Sequence, residues 1–140
     1  MELKTSAFHA CFSIEKNNFV SLVNLATGTE YIRQTPRDPL VEIYALTDGQ
    51  KKKLTACQPQ VNGDSEHLEI CYTEFGGLDI RMTVHCHAAQ DRLSIRAELE
   101  NHSQADVVEI LLPHIGGLYL GGGARPDYII YPHHAGERSK

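Results

Sequence analysis

An all-β fold, an antiparallel two-sheet β-sandwich of about eight to ten strands with little or no helix, is predicted by three observations. Between Leu68 and Glu100 apolar and polar residues alternate with a period of two, the signature of strands with one buried and one wet face. Elsewhere, short apolar runs are bounded by Asn, Asp, Gly and Pro, the residues that turns require. No segment carries a helical period.

Taken in order, Ala7 to Ile14 and Phe19 to Val23 read as a hairpin turned by Lys16, Asn17 and Asn18. Asn24 to Glu30 is a turn leading to a short strand at Tyr31 to Arg33. Pro36 and Pro39 cannot donate to a ladder, so Thr35 to Pro39 is a loop or sheet edge. Leu40 to Leu46 recovers strand character and ends at Asp48-Gly49. Lys53 to Val61 is a weaker strand, interrupted by Pro59 and closed by Asn62-Gly63-Asp64.

Parity then sets the register of the middle third, because a one-residue slip would turn every apolar side chain to solvent. A Phe75-Gly76-Gly77 loop places Thr73 opposite Asp79, Cys71 opposite Arg81, Glu69 opposite Thr83 and His67 opposite His85. A loop at Ala89 to Arg92 places Arg81 opposite Glu100, Thr83 opposite Glu98 and His85 opposite Arg96. Beyond the Asn101 to Asp106 turn, Val107 to Leu112 is nearly all apolar and reads as a central strand covered on both sides. Gly116-Gly117 and Gly121 to Gly123 are hinges around Leu118 to Leu120, and Asp127 to Tyr131 forms one more short strand.

A length of 140 residues fits one domain and one core. With 41% hydrophobic and 22% charged residues, the chain excludes the disordered class. A net charge of -5 and a pI near 5.9 exclude a phosphate-backbone partner. The basic run Lys51-Lys52-Lys53 reads as a solvated loop between strands. No apolar stretch reaches membrane-spanning length, and the N-terminal residues lack a secretory pattern, which leads us to expect a cytoplasmic protein. The cysteines are Cys11, Cys57, Cys71 and Cys86. Their spacing matches neither a zinc clip nor a redox pair, and Cys71 faces outward while Cys86 faces inward, so reduced structural thiols are expected.

Candidate chemistry is sparse. His67, His85 and His87 could converge on the exposed strand face as a metal set, but Arg96 opposite His85 opposes a dication, so no metal site is assigned. Glu69, Asp79, Glu98 and Glu100 fall on the polar face, where nothing desolvates a carboxyl for acid catalysis. No Gly-x-Ser-x-Gly elbow and no phosphate or dinucleotide loop is present, so no cofactor is expected.

Val23 to Tyr31, with its Thr27-Gly28 turn, resembles the opening of the galactose-mutarotase-like β-sandwich domains attached to glycoside hydrolases and polysaccharide lyases. Leu99 to Ser103, with Val107 to Leu118 after it, resembles their paired central strands. Asp127 to Glu137 is similar to the stretch through which such a domain continues toward a catalytic barrel. The resemblance implies an N-terminal accessory domain, part of a longer protein, that shapes a carbohydrate site while a downstream domain supplies catalysis. Arg125, Asp127, Tyr128, Tyr131, His133 and His134 are the expected sugar contacts, since aromatic faces stack on C–H surfaces and polar groups bond hydroxyls. Asn101-His102 lacks the aromatic residues that follow the epimerase motif, so that general-acid role is not carried over to His102. The alternatives are a small aldose epimerase using His and Glu and a non-catalytic module that pairs, with itself among other partners, through an exposed sheet edge.

Overall fold

The computed structural model describes residues 1–119. They form eleven strands, all antiparallel, and no helix. The strands are β1 (Glu2–Lys4), β2 (Phe8–Ser13), β3 (Asn18–Asn24), β4 (Thr29–Glu30), β5 (Glu42–Thr47), β6 (Gln50–Leu54), β7 (Gln60–Gly63), β8 (His67–Tyr72), β9 (Ile80–Ala89), β10 (Arg92–Asn101) and β11 (Asp106–Leu111). Three ladders run β1-β2-β3-β4, β10-β9-β8-β7 and β11-β5-β6, packed in a sandwich-like arrangement around one apolar core. Among the described residues no helix is long and apolar enough to cross a membrane.

The period of two holds where it was read. On β9, Ile80, Met82, Val84, Cys86 and Ala88 are buried, and on β8 Leu68, Ile70 and Tyr72 face the same core. Cys71 lies on the opposite face from Cys86, and all four thiols are unpaired. Burial raises the Cys86 thiol to about 11, so it stays protonated and inert. The β9–β10 register is as expected, with Arg81 opposite Glu100, Thr83 opposite Glu98 and His85 opposite Arg96. Its turn is two residues, Gln90 and Asp91, and Gln90 takes a φ of 52°.

The β8–β9 register differs from expectation by two positions. His67 lies opposite His87, Glu69 opposite His85 and Cys71 opposite Thr83. Gly76 and Gly77, at φ 59° and 77°, make a two-residue turn of the mirror-image kind, closed by reciprocal backbone bonds between Phe75 and Leu78. Phe75, fully buried and bridged to Ala56, holds that turn in the core, and an extra residue between Leu78 and Ile80 restores the parity. Faces are therefore preserved while every pair moves.

Other differences have local causes. The N-terminal β1 pairs with β2 and buries Leu3 completely. Residues 53–61 divide into the end of β6 and β7, with Pro59 between them. The short strand expected at Tyr31 to Arg33 sits earlier, at β4, and Ile32 instead bridges Leu118. Lys51 to Lys53 lie in β6 rather than in a loop.

The largest correction concerns Val107 to Leu112. It forms an edge strand among the described residues, with Val108, Ile110 and Leu111 exposed at 47%, 42% and 38%. A bulge at Val108 and the Glu109–Lys51 ion pair adapt the strand to that edge. On β10, Leu93, Ile95, Ala97 and Leu99 share a face with the buried row of β9 yet are only half-buried. The expected strand at Asp127 to Tyr131 lies outside the described residues.

Candidate functional site

The run from Leu40 to Ala45 buries five of its six residues, and one of them is a carboxylate. Ile43 and Ala45 point into the core, so Glu42 and Tyr44 point to the opposite face of the sheet. Glu42 is nevertheless only 4% exposed, because the residues after β11 return over it. Lys53 on β6 lies opposite Tyr44 and shares that face. His114 is brought there by its own N–H, which donates to the Leu40 carbonyl at 2.8 Å.

Both oxygens of the Glu42 carboxylate are engaged. Lys53 Nζ lies 2.5 Å and His114 Nδ1 3.2 Å from Oε1, and the Tyr44 hydroxyl donates to Oε2 at 3.1 Å. Asp38 Oδ1 sits 3.7 Å from the same ammonium. The Lys53 hydrogen bond, then the Tyr44 hydroxyl and the nearby Lys53 and His114 charges, hold the Glu42 carboxyl below its ordinary value against the opposing effect of burial. Lys53 and Tyr44 are both shifted up, chiefly by the hydrogen bond each makes to Glu42.

Asn18 ties the surrounding segments together. Fully buried, it donates to the carbonyls of Asp38 at 2.9 Å and His114 at 2.8 Å, while its Oδ1 accepts from the Phe19 N–H at 2.7 Å. Beside this cluster the Gln34–Asp38 loop and Gly116-Gly117 enclose a polar cleft of about 360 Å³. Asp38 belongs to both. Arg33 stacks on the Tyr119 ring at 3.7 Å, and its N–H donates to the Gly117 carbonyl.

Gly117 takes a φ of 71°, and a Cβ there would lie 2.3 Å from the Gln34 carbonyl oxygen. Gly117→Ala is expected to cost about 1–2 kcal/mol. It should also speed amide exchange at Arg33 and Tyr119, whose N–H groups donate to the carbonyls of Gly117 and Tyr31 beside it. Exchange rates unchanged from the parent would contradict the close approach.

The residues expected to touch sugar, Arg125, Asp127, Tyr128, Tyr131, His133 and His134, lie outside the described residues. His67 and His87 come together as stacked rings with centroids 4.4 Å apart, while His85 sits 3.8 Å from Glu69. Those three histidines do not converge as a ligand set. Among the described residues two other sets do, Asp38–Glu42–His114 and Glu2–His9–Cys11, each with its ligand atoms within 4.8 Å of one another. His102 pairs with Glu100 at 3.2 Å on the surface. The only sequence signal for Glu42 was a single acid inside an apolar run. Lys53 lay hidden in a basic run, and His114 had no local signal. No family model, curated protein or solved structure matches the chain.

Proposed function

We propose that this chain is a non-catalytic β-sandwich of the galactose-mutarotase-like kind, an accessory domain of a glycoside-hydrolase-like protein. It helps bind carbohydrate or shape the site, while a downstream domain supplies the catalytic residues. The observation that carries this reading over an aldose epimerase is the direct Glu42–His114 contact at 3.2 Å. Epimerase chemistry needs an acid and a base disposed around the sugar, and here the two groups are bonded to each other. Glycosidase chemistry needs a carboxyl with a raised pKa. Glu30, Glu42 and Asp64 go the other way, held below the ordinary carboxylate range by the hydrogen bonds they accept.

Carbohydrate binding draws support from the polar cleft, where an amide, a hydroxyl, a guanidinium and a carboxylate of Gln34, Thr35, Arg37 and Asp38 could bond sugar hydroxyls. A cytoplasmic setting is part of the proposal and is supported by the four unpaired cysteines. Titration of a panel of neutral and acidic oligosaccharides, followed by amide chemical shifts, should perturb the cleft residues and lose the effect in Asp38→Ala. Anomer interconversion of glucose and galactose should run at the buffer rate. A rate above buffer that Glu42→Gln abolishes would return the epimerase reading.

A second reading, self-association, is favoured by the apolar side chains exposed on β11 and half-buried on β10. Light scattering that shows a concentration-dependent mass indifferent to sugars would support it.

A further inference from the structure

We propose that Glu2, His9 and Cys11 form a zinc-binding site on the outer face of the first sheet. Glu2 lies directly opposite Cys11 in the β1–β2 ladder, and His9 stands two residues before Cys11 on the same strand. The three side chains therefore project from one face. Leu3 and Ala10, between them in sequence, are buried on the other side.

The contacts match a chelate. His9 Nε2 is 3.7 Å from Cys11 Sγ and 3.2 Å from Glu2 Oε2. A tetrahedral zinc with bonds of about 2.3 Å to sulfur and about 2.0–2.1 Å to nitrogen and oxygen sets edges of about 3.6 Å for S···N and about 3.3 Å for N···O. One ring nitrogen faces both the thiol and the carboxylate. A cysteine nucleophile activated by a histidine and an orienting acid would use the two different ring nitrogens, so the geometry does not describe such a relay.

Thiolate, imidazole and carboxylate together suit a borderline-soft divalent ion. Binding replaces the Cys11 Sγ–H proton, which leaves to solvent. His9 is half-buried and Glu2 exposed, which leaves a fourth position open to water. Lys4, opposite His9, and the Met1 ammonium are the cations on this side. They are offset by Glu2 and by Glu30, which is hydrogen-bonded to Ser21 across from Cys11. In the Asp38–Glu42–His114 set, by contrast, the Lys53 ammonium already stands among the ligands.

The metal would clamp the three-residue β1 to β2. The test uses the full chain, reduced and stripped of metal, with Co²⁺ as the spectroscopic probe and Zn²⁺ as competitor. One equivalent of Co²⁺ should give a thiolate-to-metal charge-transfer band with tetrahedral visible bands, displaced by one equivalent of Zn²⁺. Cys11→Ser should abolish the band, and His9→Gln and Glu2→Gln should each weaken zinc binding by about tenfold or more. His67→Gln should leave both unchanged. Cys11→Ser assigns the band among the four free thiols, and a parent without the band overturns the site even if a variant fails to fold. A cobalt adduct without the thiolate band, a band that survives Cys11→Ser, or zinc affinity within about twofold of the parent in all three variants would overturn the site.

Discussion

Asn18→Ala should destabilise the protein by about 4 kcal/mol and lower its melting temperature by roughly 10 °C. The side chain is completely buried and makes three hydrogen bonds. Truncation leaves the carbonyls of Asp38 and His114 and the N–H of Phe19 without their partner, each at about 1–3 kcal/mol before relaxation. A small cavity adds to that. Asn18→Asp keeps the shape but turns a donor into an acceptor facing two carbonyl oxygens. It should cost at least as much at neutral pH and recover partly on acidification, when a protonated carboxyl can donate again. Urea denaturation of the three proteins at two pH values checks this, and a loss below about 1 kcal/mol for both variants would show that Asn18 does not bind these segments together.

Lys53→Met should cost about 2 kcal/mol at neutral pH. Removing one partner of a buried ion pair typically costs about 3–5 kcal/mol. The value is discounted here because Lys53 is itself 43% exposed, and because Tyr44 and His114 remain bonded to Glu42. The sign of the pH dependence follows from Glu42, whose carboxyl is lowered in the folded protein, first by Lys53. Such a group contributes stability that is complete above the ordinary carboxylate range and is lost as pH falls through its depressed native value. Without Lys53 the native value moves back up. The gap between parent and variant should thus be widest near pH 7 and shrink below about pH 4, where the carboxyl is protonated in the unfolded chain. A gap independent of pH would mean that Lys53 acts through packing of its stem rather than its charge.

The β9–β10 ladder could be read from residue patterning because its pairing runs without a bulge from the turn to Arg81 and Glu100, so matching the inward rows of the two strands fixes the partners. The β8–β9 ladder could not. A pattern with a period of two is blind to a slip of two, and the turn at Gly76-Gly77 was decided by the burial of Phe75 against Ala56, a contact distant in sequence. Val107 to Leu112 misled for a related reason. An apolar run records what a strand can bury, and its actual exposure depends on which strands lie beside it.

The two side-chain clusters show the same division. Glu42, Lys53 and His114 meet across three segments of chain, and Glu2 reaches His9 and Cys11 only because β1 pairs with β2. No spacing along the chain announces either set. What the amino-acid order determined alone was the fold class, the inward and outward faces of the middle strands, and the opposed directions of Cys71 and Cys86. These follow from local alternation, which each strand carries within itself. Tertiary structure decided the β8–β9 pairs, the edge position of β11 among the described residues, and the convergence of Glu42 with His114 and of Glu2 with Cys11. Such contacts join residues far apart in the chain, and only the packing of whole strands selects them.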